Sequence, residues 1–184
     1  MVDEHELRVE LSRLTNHSPE DVLGLEKVRG WLQQQIQEIS ELSEKCPHSI
    51  TLNTFWNPEI SETNCYMQAL DLLPQDISEW RYLEIQPDAP FICHLLEKIL
   101  IERDIDEAVD GDVIVYFDDT GKPRHAGKSI AGRVISKWGD GCTHIWTHGL
   151  WEVPNDYGNL VRFFQPLRRD QVVAAYIEWA KSQW

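Results

Sequence analysis

Apolar residues recur every three or four positions through the first quarter of the chain. Leu7, Leu11 and Leu14 define a short first helix, and Val22, Leu25, Val28, Leu32, Ile36, Ile39 and Leu42 form one stripe of a longer one. Between the two, Ser18-Pro19-Glu20-Asp21 restarts the helix, with Ser18 as N-cap and Pro19 at the first helical position. Such a stripe packs a helix on its own domain, or else builds a helical hairpin that docks a partner protein. Cys46-Pro47 closes this region, and residues 47–63, with Pro47, Pro58 and many polar positions, read as irregular. A short helix is expected from Asn64 through Leu72, before Pro74, and a second from Phe91 to Ile105 with Leu95, Leu96, Ile99 and Leu100 on one side.

After Gly111 the period changes to that of strands. Val113-Ile114-Val115-Tyr116-Phe117 is β-branched and aromatic, and Asp118-Asp119-Thr120-Gly121 follows as a turn. Further strands are expected over 123–130, 133–138, 144–148 and 160–164, and a final helix over 168–182. Hairpin-length connections leave no room for crossover helices, so the strands form an antiparallel meander. The order of helices, meander and helix specifies an α+β fold. We divide the chain into an N-terminal helical extension, 1–46, and an α+β domain, 47–184.

Charge and composition narrow the partners. The formal net charge of -14, from 17 Lys+Arg against 31 Asp+Glu, opposes nucleic acid or an anionic membrane as ligand. Arg162, Arg168 and Arg169 are the one candidate basic patch. No segment reaches the roughly 18 apolar residues that span a bilayer. The start Met1-Val2-Asp3-Glu4-His5-Glu6 is acidic where a signal peptide is basic, so a cytoplasmic protein with free thiols is expected. The acidic run Asp104, Asp106, Glu107, Asp110 and Asp112 reads as a solvated helix end and turn.

The four cysteines form no C-x-x-C pair, which disfavours zinc or a redox motif, so each is judged by its setting. Cys93, among Phe91, Ile92 and Leu95, reads as a buried small hydrophobe. Cys46 precedes a proline at a helix end, and Cys142 follows the glycine turn Gly139-Asp140-Gly141. Cys65 follows Thr63-Asn64, two good N-cap residues, and so falls in the first turn of a helix. There the exposed amides and the dipole favour a thiolate and can hold an oxyanion. A thiol nucleophile needs an imidazole to move its proton. His125, at the start of an alternating strand and followed by Ala126-Gly127, is the candidate; the small residues let another backbone approach closely.

The run Asn64-Cys65-Tyr66, then Gly111-Asp112-Val113-Ile114-Val115-Tyr116-Phe117, then His125-Ala126-Gly127 resembles the core of the NlpC/P60-type papain-like cysteine peptidases. The segments Ser136-Lys137-Trp138-Gly139, His148 to Pro154 and Val161-Arg162-Phe163-Phe164 resemble a less characterised bacterial branch of that superfamily. The resemblance implies a helix carrying the cysteine packed on the antiparallel meander, with Cys65 as nucleophile and His125 as base. It also implies a third polar residue that orients the imidazole from the next strand. Ser136 matches that position by spacing, and His148, with His144, is the alternative from the following strand. The oxyanion would be held by the Cys65 amide, aided by Trp56 or Asn64. The activity implied is thiol hydrolysis of an amide or ester, in peptide, isopeptide or acyl substrates, or acyl transfer by the same site, with no cofactor.

His144 and His148 on a strand share a face about 13 Å apart, too far for two ligands of one metal ion. Trp138, Trp146 and Trp151 invite sugar stacking but more simply close a small core. A non-catalytic interaction module on the same fold, binding a protein partner through the N-terminal helices, is the main alternative.

Overall fold

The computed structural model describes residues 4–15, 25–55, 63–77, 87–139 and 144–183. The Ser18-Pro19 restart, Trp56 and Cys142 lie outside these residues. The helices are α1 (Glu4–Thr15), α2 (Leu25–Lys45), α3 (Cys65–Ala69), α4 (Ala89–Lys98) and α5 (Arg169–Ser182). The strands are β1 (Thr51–Thr54), β2 (Glu102–Arg103), β3 (Val113–Phe117), β4 (Pro123–Ile130), β5 (Arg133–Lys137), β6 (Ile145–His148) and β7 (Leu160–Phe164). They form one antiparallel sheet in the order β1-β6-β5-β4-β3-β7-β2, so the fold is α+β.

The expected meander is β3-β4-β5-β6, and β7 returns to pair with the other side of β3. Two strands escaped the sequence reading. The polar run Thr51-Leu52-Asn53-Thr54 pairs with β6 as an edge, where alternation is not enforced by burial on both faces. The helix expected from Phe91 to Ile105 ends at Lys98, and Glu102–Arg103 pairs with Phe164 and Phe163. α3 is shorter than expected, with a turn at Leu70 and Asp71, the latter at φ 54.

Two cores lie on opposite faces of this sheet. On one face Val113, Val115, Phe117 and Ala126 pack with α3, α4 and α5 through Met67, Phe91, Leu95, Tyr176 and Trp179. On the other Ile114, Tyr116, Val134, Trp138 and Trp146 pack with α1 and α2 through Leu7, Leu11, Ile39 and Leu42. The fully buried run of β3 is therefore apolar at every position, as a strand covered on both faces must be. The N-terminal helices close the second of these cores through Leu7, Leu11, Ile39 and Leu42.

Arg8 ties α1 to the chain between β6 and β7. Its guanidinium donates to the carbonyls of Val153 and Gly158 and to Asn159 Oδ1, and lies 5.4 Å from the centre of the Trp151 ring. Gly158, at φ 107, turns so tightly against β3 that an added Cβ would sit 2.2 Å from the Phe117 carbonyl oxygen. Among the described residues no helix is long and apolar enough to cross a membrane.

Candidate functional site

Asn64 builds the start of α3. Its backbone is extended, its Oδ1 accepts the Met67 amide at 2.9 Å, and its Nδ2 donates to the Pro87 carbonyl at 3.0 Å. Cys65 therefore stands in the first turn, as the sequence indicated, and α3 rests on β4 and β5. The cysteine is 9 % exposed at the edge of the core that it shares with Tyr66, Met67 and Ala126. The Asn64 carboxamide oxygen is taken by the cap and one N–H of its Nδ2 by Pro87.

Strand register decides which groups join the cysteine. Val115 pairs with Ala126, both on the α3 face, while Tyr116 pairs with His125, and Tyr116 belongs to the opposite core. Because successive side chains alternate, His125 points away from Cys65, through the sheet. It stacks on Tyr157 with centroids 3.9 Å apart and leans on Tyr116 at 5.6 Å. The expected Cys65–His125 pair is thus not formed. Burial, with His148 nearby, holds the His125 imidazole well below its ordinary range, and its Nε2 has no hydrogen-bond partner among the described residues.

Ser136 and His148 come together on that second face, without His125. His148 Nδ1 donates to the Gly149 carbonyl at 2.7 Å, which leaves Nε2 to accept the Ser136 hydroxyl at 2.8 Å. Trp138 Nε1 donates to the same Ser136 oxygen at 3.0 Å. Burial takes His148 down to about 4, against a smaller favourable effect of its bond to Gly149. This hydroxyl orients His148, not His125, and the three side chains form a satisfied polar layer beneath α1. His144 goes elsewhere, its Nε2 donating to the Leu32 carbonyl of α2 at 3.3 Å. Ala126-Gly127 does permit close approach, as expected: a Cβ at Gly127 would lie 2.7 Å from Val134 Cγ1 and 2.8 Å from the Ile135 oxygen.

The group that β5 does bring to the cysteine helix is Lys137. It is fully buried, and its Nζ donates to the Thr63 carbonyl and to Thr63 Oγ1, two residues before Cys65. The signal was present in Val134-Ile135-Ser136-Lys137-Trp138: alternation places Ser136 and Lys137 on opposite faces of a strand covered on both. Once Ser136 is assigned to one face, Lys137 belongs to the other.

The remaining candidates resolve differently from expectation in two places. Asp112 is buried, not solvated: Arg103 lies 2.9 Å from it, and the Val109 amide donates to it. Cys93 is only half-buried on α4, and burial and the Glu97 carboxylate push its thiol up. Cys46 is a core residue, as are Trp138 and Trp146. Each arginine of the candidate basic patch faces a carboxylate: Arg162 that of Glu102, Arg168 that of Asp170 and Arg169 that of Asp76. Among the described residues no three His, Cys, Asp or Glu side chains are grouped to hold a metal ion.

No family profile, curated protein or solved structure matches this chain.

Proposed function

We propose that this chain is a thiol-dependent hydrolase or acyltransferase on a papain-like scaffold, with Cys65 as nucleophile and Lys137, in place of His125, as the charged group beside it. The observation that carries this reading is the buried Lys137 ammonium on the Thr63 carbonyl and hydroxyl, immediately before the capped helix start that bears Cys65. Thr63 and Cys65 are two residues apart, at most about 7 Å between their Cα atoms, so Lys137 is anchored at the helix start that bears the thiol. A cation there favours the thiolate. The thiolate sulfur attacks the carbonyl carbon of a peptide, isopeptide or acyl ester, and the C–N or C–O bond breaks. The departing group takes its proton from solvent, and water or an acceptor amine then cleaves the thioester. The motif order that resembles the NlpC/P60 type, the cysteine-bearing helix resting on the sheet and a cytoplasmic setting all belong to this reading.

A second reading, the non-catalytic interaction module, is favoured by the position of His125 under Tyr157 on the opposite face. Alkylation separates the two. Under the thiol reading iodoacetamide at pH 7 modifies Cys65 before Cys93, Lys137→Met slows that reaction about tenfold, and His125→Ala leaves it unchanged. Equal labelling of both cysteines, indifferent to Lys137→Met in a variant that keeps the native circular dichroism, would establish the module instead.

A further inference from the structure

Ile101, Ile105 and Val109 are exposed at 60 %, 57 % and 49 %, although each is a branched apolar side chain. The segment that carries them folds around one buried carboxylate. Asp112 meets Arg103 of β2 at 2.9 Å and accepts the Val109 amide at 2.9 Å. The intervening turn is closed by the Glu107 amide on the Asp104 carbonyl. The three aliphatics are thereby gathered at the outer edge of the sheet, where β2 pairs with β7 and with no other described strand. The apolar side chains that the N-terminal helices offered for a partner, Leu7, Leu11, Ile39 and Leu42, are instead committed to the second core.

The edge is open in its backbone as well. The Gln165 amide, just after β7, donates to the Ile101 carbonyl, so Ile101 and Arg103 turn their backbone groups toward β7. Glu102, between them, turns its N–H and C=O outward. Edge strands are ordinarily blunted by free charges. Both charges of β2 are instead engaged inside this molecule, Glu102 by Arg162 and Arg103 by Asp112. The free charges are those of Asp104, Asp106 and Glu107, all exposed and without an ion pair or side-chain hydrogen bond among the described residues. In a chain of net charge -14 those carboxylates repel a second copy and attract a cation.

We propose that the open edge of β2 docks a cationic segment of another protein, which adds to the sheet as an extended strand. Its backbone takes the outward groups of Glu102, and its aliphatic side chains cover Ile101, Ile105 and Val109. Its lysines or arginines meet Asp104, Asp106 and Glu107. The cysteine helix rests on β4 and β5, beyond β7 and β3, so this docking stands apart from the thiol chemistry.

The probe is a fluorescein-labelled peptide of Lys-Val repeats, titrated into the full chain and followed by anisotropy. It is expected to bind, and the matching Glu-Val peptide is not. A polycation is drawn to any acidic surface, so position decides the result. Asp104→Asn/Asp106→Asn/Glu107→Gln is expected to weaken binding about tenfold. Glu41→Gln/Glu44→Gln/Glu178→Gln removes as many exposed carboxylates from α2 and α5 and is expected to leave binding unchanged. Hydrogen exchange followed by NMR should slow at the Glu102 amide once the peptide is bound. Absence of binding, equal losses from the two triple variants, or a Glu102 amide that exchanges as fast with the peptide as without it overturns the docking edge. A Lys-Ser peptide that binds as tightly as the Lys-Val one overturns it too, because the aliphatic patch would then have no part.

Discussion

At His125 and His148 the cost of burial sets the pH response. Both imidazoles are neutral in the fold, with His148 held at about 4 against an ordinary 6.5 and His125 also well below 6.5. The unfolded chain takes up these protons near pH 6.5, while the folded chain takes up that of His148 only near 4. Between those limits the unfolded state binds more protons, so stability is full above about pH 6.5 and is lost as the pH falls. For His148 the loss amounts to about 3 kcal/mol once pH 4 is passed. Urea unfolding at pH 7.5 and 4.5 should show the drop, and His148→Gln should reduce it relative to wild type. A drop of equal size in the variant would place the loss in other groups. The identity of each histidine was plain in the sequence, but its partners were not. His125-Ala126-Gly127 and Val134-Ile135-Ser136 specify strands, and a one-residue change of register exchanges every side chain between faces.

The elements themselves follow the local pattern closely. β4 and β7 occupy the spans that alternation marked, α5 is within a residue of its expected start, and Asn64 caps α3 as its side chain dictates. What local pattern did not carry is the docking of one element on another. Leu7 and Leu11 make α1 a helix, but the contact that seats it is the Arg8 guanidinium inserted among Val153, Gly158 and Asn159, some 150 positions along the chain. Arg8→Ala leaves those carbonyls without donors and removes the cation from Trp151, and is expected to cost about 2–4 kcal/mol. Chemical denaturation measures this, and a loss under about 1 kcal/mol would mean that α1 is seated by its leucines alone. The same change should loosen Tyr157, which shares a short helical turn with the anchored segment, and so speed hydrogen exchange at Gly139, whose amide donates to the Tyr157 hydroxyl at 2.9 Å.

Across the whole molecule, the sheet separates two chemistries. One face carries Cys65 and Lys137, and the other carries His125 and His148 in the core closed by α1 and α2. The segment 1–46 reads in the sequence as a helical extension closed by Cys46-Pro47, yet Leu7, Leu11, Ile39, Leu42 and Cys46 close the second core against Trp138 and Trp146. A chain starting at residue 47 exposes that apolar face and is expected to aggregate or bind a hydrophobic dye strongly. A soluble, cooperatively unfolding 47–184 fragment would show that the sheet and its other three helices suffice.

Residue spacing alone determined the α+β class, most element spans and the placing of Cys65 in a capped first turn, because caps, turns and hydrophobic period act within a few residues. Which face of the sheet each polar side chain occupies was settled by the pairing of distant strands. Tyr116 against His125 turned the expected base away from the thiol, and the alternation beyond Ser136 brought Lys137 toward it. Register is a long-range property, fixed by the summed burial of two faces at once, and no single residue announces it.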